Sequence, residues 1–136
     1  MVKLIIGLQG SGKTKQLIEN INNAVKNETG SMVCIEKGTK LRYDIDMHVR
    51  LIDYQEYKMG TLDALKGFIS GLHAGNFDIT HIFIDSFYKL LDKATMADVE
   101  DFTLWCDSFG KANDMDFTIL VSEKPEIIPE SLKAYL

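Results

Sequence analysis

The sequence is poor in residues that staple or interrupt a chain. Only two cysteines, Cys34 and Cys106, occur in 136 residues, and both sit inside apolar patterns. That is too few for a disulfide framework and lacks metal-ligand spacing, so both read as reduced core residues of a cytoplasmic protein. The two prolines, Pro125 and Pro129, lie close together near the C-terminus, which leaves no proline-rich linker to divide the chain. Repeats and low-complexity segments are absent. No apolar run approaches the roughly 20 residues a membrane helix needs, so no membrane insertion is expected. The opening run Met-Val-Lys-Leu-Ile-Ile is too short for the apolar region of an export signal.

Arginine is scarce, with only Arg42 and Arg50, and the charge balance is 15 basic minus 20 acidic residues, or −5. Residues 92–116 carry seven acids against Lys93 and Lys111 and so account for −5 alone. The remainder is near neutral. A broad nucleic-acid surface, which would be basic, is not expected. The acidic stretch reads as a solvated helix face.

What is present is enough for one domain with an adequate core. Residues 2–6 read as a buried strand ending at Gly7. Residues 13–28 read as an amphipathic helix, with Leu17, Ile18, Ile21, Ala24 and Val25 on one face and Gly30 as its stop. Met32–Ile35 and Val49–Asp53 read as strands, with a weak strand around Leu41–Ile45. Thr61 caps a helix to about Leu72. Ile79–Asp85 is a strong strand. Thr95 and Asp98 form a capping-box pair that opens a helix to about Lys111, with Val99, Phe102, Cys106 and Phe109 inward. Phe117–Ser122 is the last strand. Pro129-Glu130 opens a short helical tail with Leu132 and Leu136 on one side. Strands alternating with helices predict a three-layer α/β fold, a mostly parallel sheet with helices on both faces. Ligands in such folds bind beyond the carboxyl ends of the strands.

Directly after the first strand stands Gly7-Leu8-Gln9-Gly10-Ser11-Gly12-Lys13-Thr14. It fits G-x-x-x-x-G-K-[ST] at every fixed position, between a strand and a helix, which is the context the motif requires. The residue types suit a triphosphate. Gly7 permits the turn out of the strand, and Gly10 and Gly12 let successive N–H groups curl around an anion. The helix N-terminus adds partial positive charge. Lys13 is a point charge for the terminal phosphates, and the Thr14 hydroxyl is a Mg²⁺ ligand. Gln9 and Ser11 act through their backbones. Some 70 residues on, His81-Ile82-Phe83-Ile84-Asp85 is a buried strand ending in an acid. Asp85 there is placed to hold magnesium, directly or through water.

With this pair of motifs the chain resembles the P-loop NTPase superfamily over most of its length. It looks most like small bacterial P-loop ATP-binding proteins, some of them labelled twitching-motility ATPase-like, and more faintly like thymidine kinase. The resemblance implies a RecA-like fold type with ATP and Mg²⁺ as cofactors. There are departures. Ser86 stands where many P-loop ATPases and thymidine kinases put a glutamate. The zinc-binding cysteine pairs of thymidine kinase are missing, as are the N-terminal domain and the extra acidic and histidine motifs of the twitching-motility ATPases. No Asn-Lys-x-Asp guanine signature occurs, which favours adenine.

Hydrolysis needs a group that orients water or takes its proton. Glu36, Asp53, Ser122 and Glu123 are the strand-end candidates. Glu36 is the candidate base, otherwise a solvated loop acid. Ser122 is the candidate γ-phosphate sensor if the fifth strand inserts between the first and fourth. Arg42 or Arg50 is the candidate for charge stabilisation in cis or from a neighbouring subunit. His48, His73 and His81 lack metal-ligand spacing. Phe102, Trp105 and Phe109 read as core or an interface, Phe87-Tyr88 as a packed short helix, and Tyr43, Tyr54 and Tyr57 as mainly core. The expected activity is ATP binding with slow or partner-dependent hydrolysis. A nucleotide-dependent module that presents residues 37–60 to a protein partner is the alternative, and a nucleoside-type kinase ranks last. A homo-oligomer through the 95–112 helix is a further expectation.

Overall fold

The computed structural model describes residues 1–136. In chain order the elements are β1 (Val2–Gly7), α1 (Lys13–Asn27), β2 (Ser31–Glu36), β3 (Val49–Asp53), α2 (Leu62–Gly75), β4 (Ile79–Ile84), α3 (Phe87–Leu90), α4 (Met96–Asn113) and β5 (Asp116–Ser122). Short 3₁₀ turns cover Tyr54–Tyr57, Pro125–Ile127 and Glu130–Tyr135.

The five strands form one sheet in the order β1-β5-β4-β2-β3, and every pairing is parallel. The expected mostly parallel sheet is thus parallel throughout, with β5 between β1 and β4. Parallel neighbours need long crossovers. Helices supply them everywhere except between β2 and β3, where the irregular segment 37–48 does so.

Helices lie on both faces, and strand alternation divides the core accordingly. Ile5, Met32, Cys34, Phe83 and Leu120 pack with Leu17, Ile21 and Ala24 of α1. Leu4, Val33, Ile35, Ile82, Ile84, Phe117 and Ile119 pack with Leu65 and Ile69 of α2 and with Val99, Phe102 and Cys106 of α4. Fully burying side chains of this size stabilises the fold by roughly 1.5–3 kcal/mol each. Both cysteines are free and buried, and burial holds both thiols far above their usual range.

Local signals act as the residue types suggest. The Thr61 hydroxyl accepts from Ala64 N–H at 3.1 Å, and the Asp98 carboxylate accepts from Thr95 N–H at 2.8 Å. Four expectations need correction. Leu41–Ile45 is a turn and not a strand: Ile45 N–H donates to the Leu41 carbonyl at 3.3 Å, so both pack on the α1-side core while Arg42, Tyr43 and Asp44 stay exposed. Leu136 is exposed while Leu132 is fully buried, since the tail winds as a 3₁₀ turn with a shorter period than the α-helical spacing assumed. Phe109 is only partly buried, stacked on Trp105 at 4.7 Å. Of the three tyrosines only Tyr54 is core; Tyr43 and Tyr57 are exposed. No helix is long and apolar enough to cross a membrane.

Candidate functional site

Period-two alternation along the strands decides which side chains meet. Gly7 and Ser122 are register partners at the ends of β1 and β5. Glu36 and Asp53 are partners at the ends of β2 and β3. Ile35 pairs with Ile84, and Asp85 N–H donates to the Ile35 carbonyl at 2.9 Å, so Asp85 comes level with Glu36. By alternation these residues share parity with Ile5, Leu120, Phe83 and Cys34, the α1-facing set. Burial, reinforced by the carboxylates of Asp85 and Glu36, is what raises the Cys34 thiol, which sits beside both acids.

The loop between β1 and α1 has the backbone its glycines were expected to provide. Gly10 (φ 84°) and Gly12 (φ 83°) are both left-handed, where a side chain is strained. Ser11 N–H closes the loop onto the Leu8 carbonyl at 3.1 Å. A Cβ at Gly7 would collide with the Ser11 hydroxyl. Lys13 is buried at the start of a 15-residue helix that has no acid in its first turn. Its ammonium donates to the Leu8 carbonyl at 3.4 Å, so it folds back over the loop. Thr14 and Gln9 are exposed at the loop's rim.

Asp85 is buried, and burial raises its pKa above the ordinary value. The Ser86 hydroxyl (donating at 3.2 Å, Oγ to Oδ1) and the nearby charges of Lys89, Lys40 and Lys13 pull the other way without cancelling the rise. A carboxylate carried out of water with no ion-pair partner costs stability unless a cation joins it. Ser86 itself is left-handed at φ 60°, strain that recurs at functional sites.

The other candidate acids are tied to backbone. Glu36 is only 2% exposed, not a solvated loop acid. Its carboxylate accepts from Lys40 N–H at 3.0 Å and Leu41 N–H at 3.3 Å, and burial still raises its pKa. Asp53 accepts from Gly38 N–H at 2.7 Å and Gln55 N–H at 3.0 Å. Glu123 accepts from the Tyr88 hydroxyl at 3.0 Å. Burial first, then Glu123, push Tyr88 up to about 12. Arg42 and Arg50 line one cavity at the free edge of β3. The role of Glu36 and Asp53 as anchors of the 37–45 segment could not be read from sequence, because their partners are backbone N–H groups in a stretch with no periodic pattern.

A hard cation needs oxygen ligands. Asp85 carries a carboxylate at the carboxyl end of β4, and Thr14 a hydroxyl at the rim of the loop on the same end of the sheet. A second group, Glu28, His81 and Asp116, has ligand atoms within 4.8 Å of one another. It lies at the opposite, amino end of the strands. There His81 Nδ1 pairs with Glu28 at 3.1 Å and Nε2 with the Thr118 hydroxyl at 2.9 Å, so both ring nitrogens are already satisfied.

No protein-family model matches this chain, and no curated protein is significantly similar to it.

Proposed function

We propose that the chain is a P-loop NTPase-type protein that binds ATP with Mg²⁺ and hydrolyses it slowly or only with a partner. The observation that carries this reading is the loop itself: two left-handed glycines and a buried lysine at a helix N-terminus, on the same sheet end as the buried Asp85. In this reading the loop N–H groups and Lys13 hold the phosphates, Thr14 and Asp85 hold the magnesium, and Ser122 senses the γ-phosphate. The position of β5 between β1 and β4 favours the RecA-like type and brings Ser122 level with Gly7. A cytoplasmic protein is part of the same reading.

Slow turnover follows from the acids. Ser86 offers no carboxylate, and Glu36, Asp53 and Glu123 are each engaged by hydrogen bonds. Those bonds favour a second reading as well. Glu36 and Asp53 both hold the segment that carries the fully displayed Tyr43 and Met47, as a module that shows residues 37–60 to a protein partner would require.

Calorimetry with MgATP on the wild type and on Lys13→Ala, with phosphate release followed in the same samples, tests both readings. Binding in the wild type and its loss in the variant, with slow release, is the expected result. Binding without release favours the presenting module. No binding at millimolar MgATP overturns both.

A further inference from the structure

A second cavity opens on the same carboxyl end of the sheet, beyond β2, β3 and β4. Its volume is about 540 Å³, within the range of small-molecule sites. Three separate connections build its walls: Lys37 follows β2, Lys58 follows β3 through its 3₁₀ turn, and Lys89 lies on α3 after β4. The only acid in the wall is Asp92. In a chain of net charge −5, three ammonium groups against one carboxylate run counter to the whole.

These lysines are not explained by pairing within the chain. The six ion pairs use the N-terminus, His48, Lys66, His81, Lys111 and Lys133 as their cations, and none of the cavity's three. Asp92 is held by the wall. Its N–H donates to the Gly60 carbonyl at 2.8 Å, and its carboxylate occupies the space a Cβ on Gly60 would need. Lys58 has a left-handed backbone (φ 50°), a conformation that glycine or asparagine adopts more readily. Lys58 closes the 3₁₀ turn after β3, which fixes where its side chain leaves the wall. Leu90, Leu91 and Met59 supply an apolar part of the lining.

We propose that this cavity is a second ligand site, which takes a small phosphate monoester. The dianionic phosphate is held by Lys37, Lys58 and Lys89 as charge-assisted hydrogen bonds, and the remainder of the ligand lies against the apolar wall. Lys89, whose charge also reaches Asp85, joins this cavity to the candidate metal carboxylate. The site stands apart from the nucleotide reading and is tested separately from it.

The probe is ribose 5-phosphate, titrated into the full chain and followed by the backbone amide resonances of residues 54–60 and 89–92, with ribose as the neutral control. Saturable shifts there with ribose 5-phosphate but not ribose are expected. Lys13→Ala leaves them unchanged. Lys37→Gln combined with Lys58→Asn weakens binding about tenfold or more; both residues are exposed, and asparagine tolerates the left-handed backbone. Shifts confined to residues 7–14, their loss in Lys13→Ala, or equal affinity in the double variant would overturn the site, as would no shifts at millimolar probe. Shifts at 54–60 in a chain that fails to bind MgATP would uphold this site and refute the nucleotide reading.

Discussion

At the scale of single residues, Asp85 is the most informative side chain. Burial raises its folded pKa above the ordinary 3.8. Its contribution to stability is therefore complete below 3.8 and is lost as pH rises through the raised folded value. Ionising Asp85 in the metal-free protein puts a charge out of water that Ser86, Lys89, Lys40 and Lys13 only partly offset. Asp85→Asn should raise the thermal midpoint of the metal-free protein by a few degrees, and the gain should shrink as pH falls through the raised value. Thermal denaturation across pH measures this. The same variant should lose any Mg²⁺-dependent stabilisation in the presence of ATP. Asp85 was legible in the sequence because a strand of apolar residues ended on it. The anchoring by Glu36 and Asp53 was not, because nothing in residue type tells a carboxylate that binds water from one that binds its own backbone.

At the scale of elements, the glycines of two helices make opposite statements. Gly67 on α2 has nothing within 4 Å of a built Cβ, whereas a Cβ on Gly110 of α4 would collide with the Met115 carbonyl. Met115 N–H also donates to the Gly110 carbonyl at 3.0 Å, so the chain leaving α4 at its left-handed cap Asp114 folds back tightly over Gly110. Gly67→Ala should stabilise by about 0.5–1 kcal/mol through helix propensity. Gly110→Ala should destabilise by about 2 kcal/mol as the turn is forced open. Urea denaturation of the two variants distinguishes the signs. Most strands and helices were legible because period two or period 3.6 runs through them. Leu41–Ile45 misled, because two apolar residues four apart fit the two ends of a short strand as well as they fit one turn that packs both. The 3₁₀ tail misled for a similar reason, since its side chains repeat every three residues.

At the scale of the molecule, the sheet separates two groups of titrating residues by its length. At the amino end, burial lowers His81 below its ordinary 6.5, and the Glu28 contact only partly offsets this. The stability associated with neutral His81 is whole above 6.5 and is lost as pH falls through the lowered value, where the unfolded chain takes up a proton first. At the carboxyl end, Glu36 and Asp85 act in the opposite sense. Their raised values make the folded chain gain relative stability as pH falls toward 4.5 and 3.8. His81→Gln should flatten the loss of stability just below 6.5 and leave MgATP affinity unchanged, because the substituted residue lies at the far end of the sheet. Denaturation profiles and calorimetry at matched pH check the two halves of that expectation.

The α/β class, the glycine-rich loop with its lysine, and the strand that delivers Asp85 could all be read from residue order. Each is a local pattern, set by side-chain period and by the backbone freedom of glycine at neighbouring positions. It took the folded chain to place β5 between β1 and β4, to bring Ser122 level with Gly7, to tie the 37–45 segment to Glu36 and Asp53, and to gather Lys37, Lys58 and Lys89 around one cavity. Those facts depend on strand order and register. Strand order and register are settled by how two opposite core faces pack at once, and no single window of sequence contains both faces.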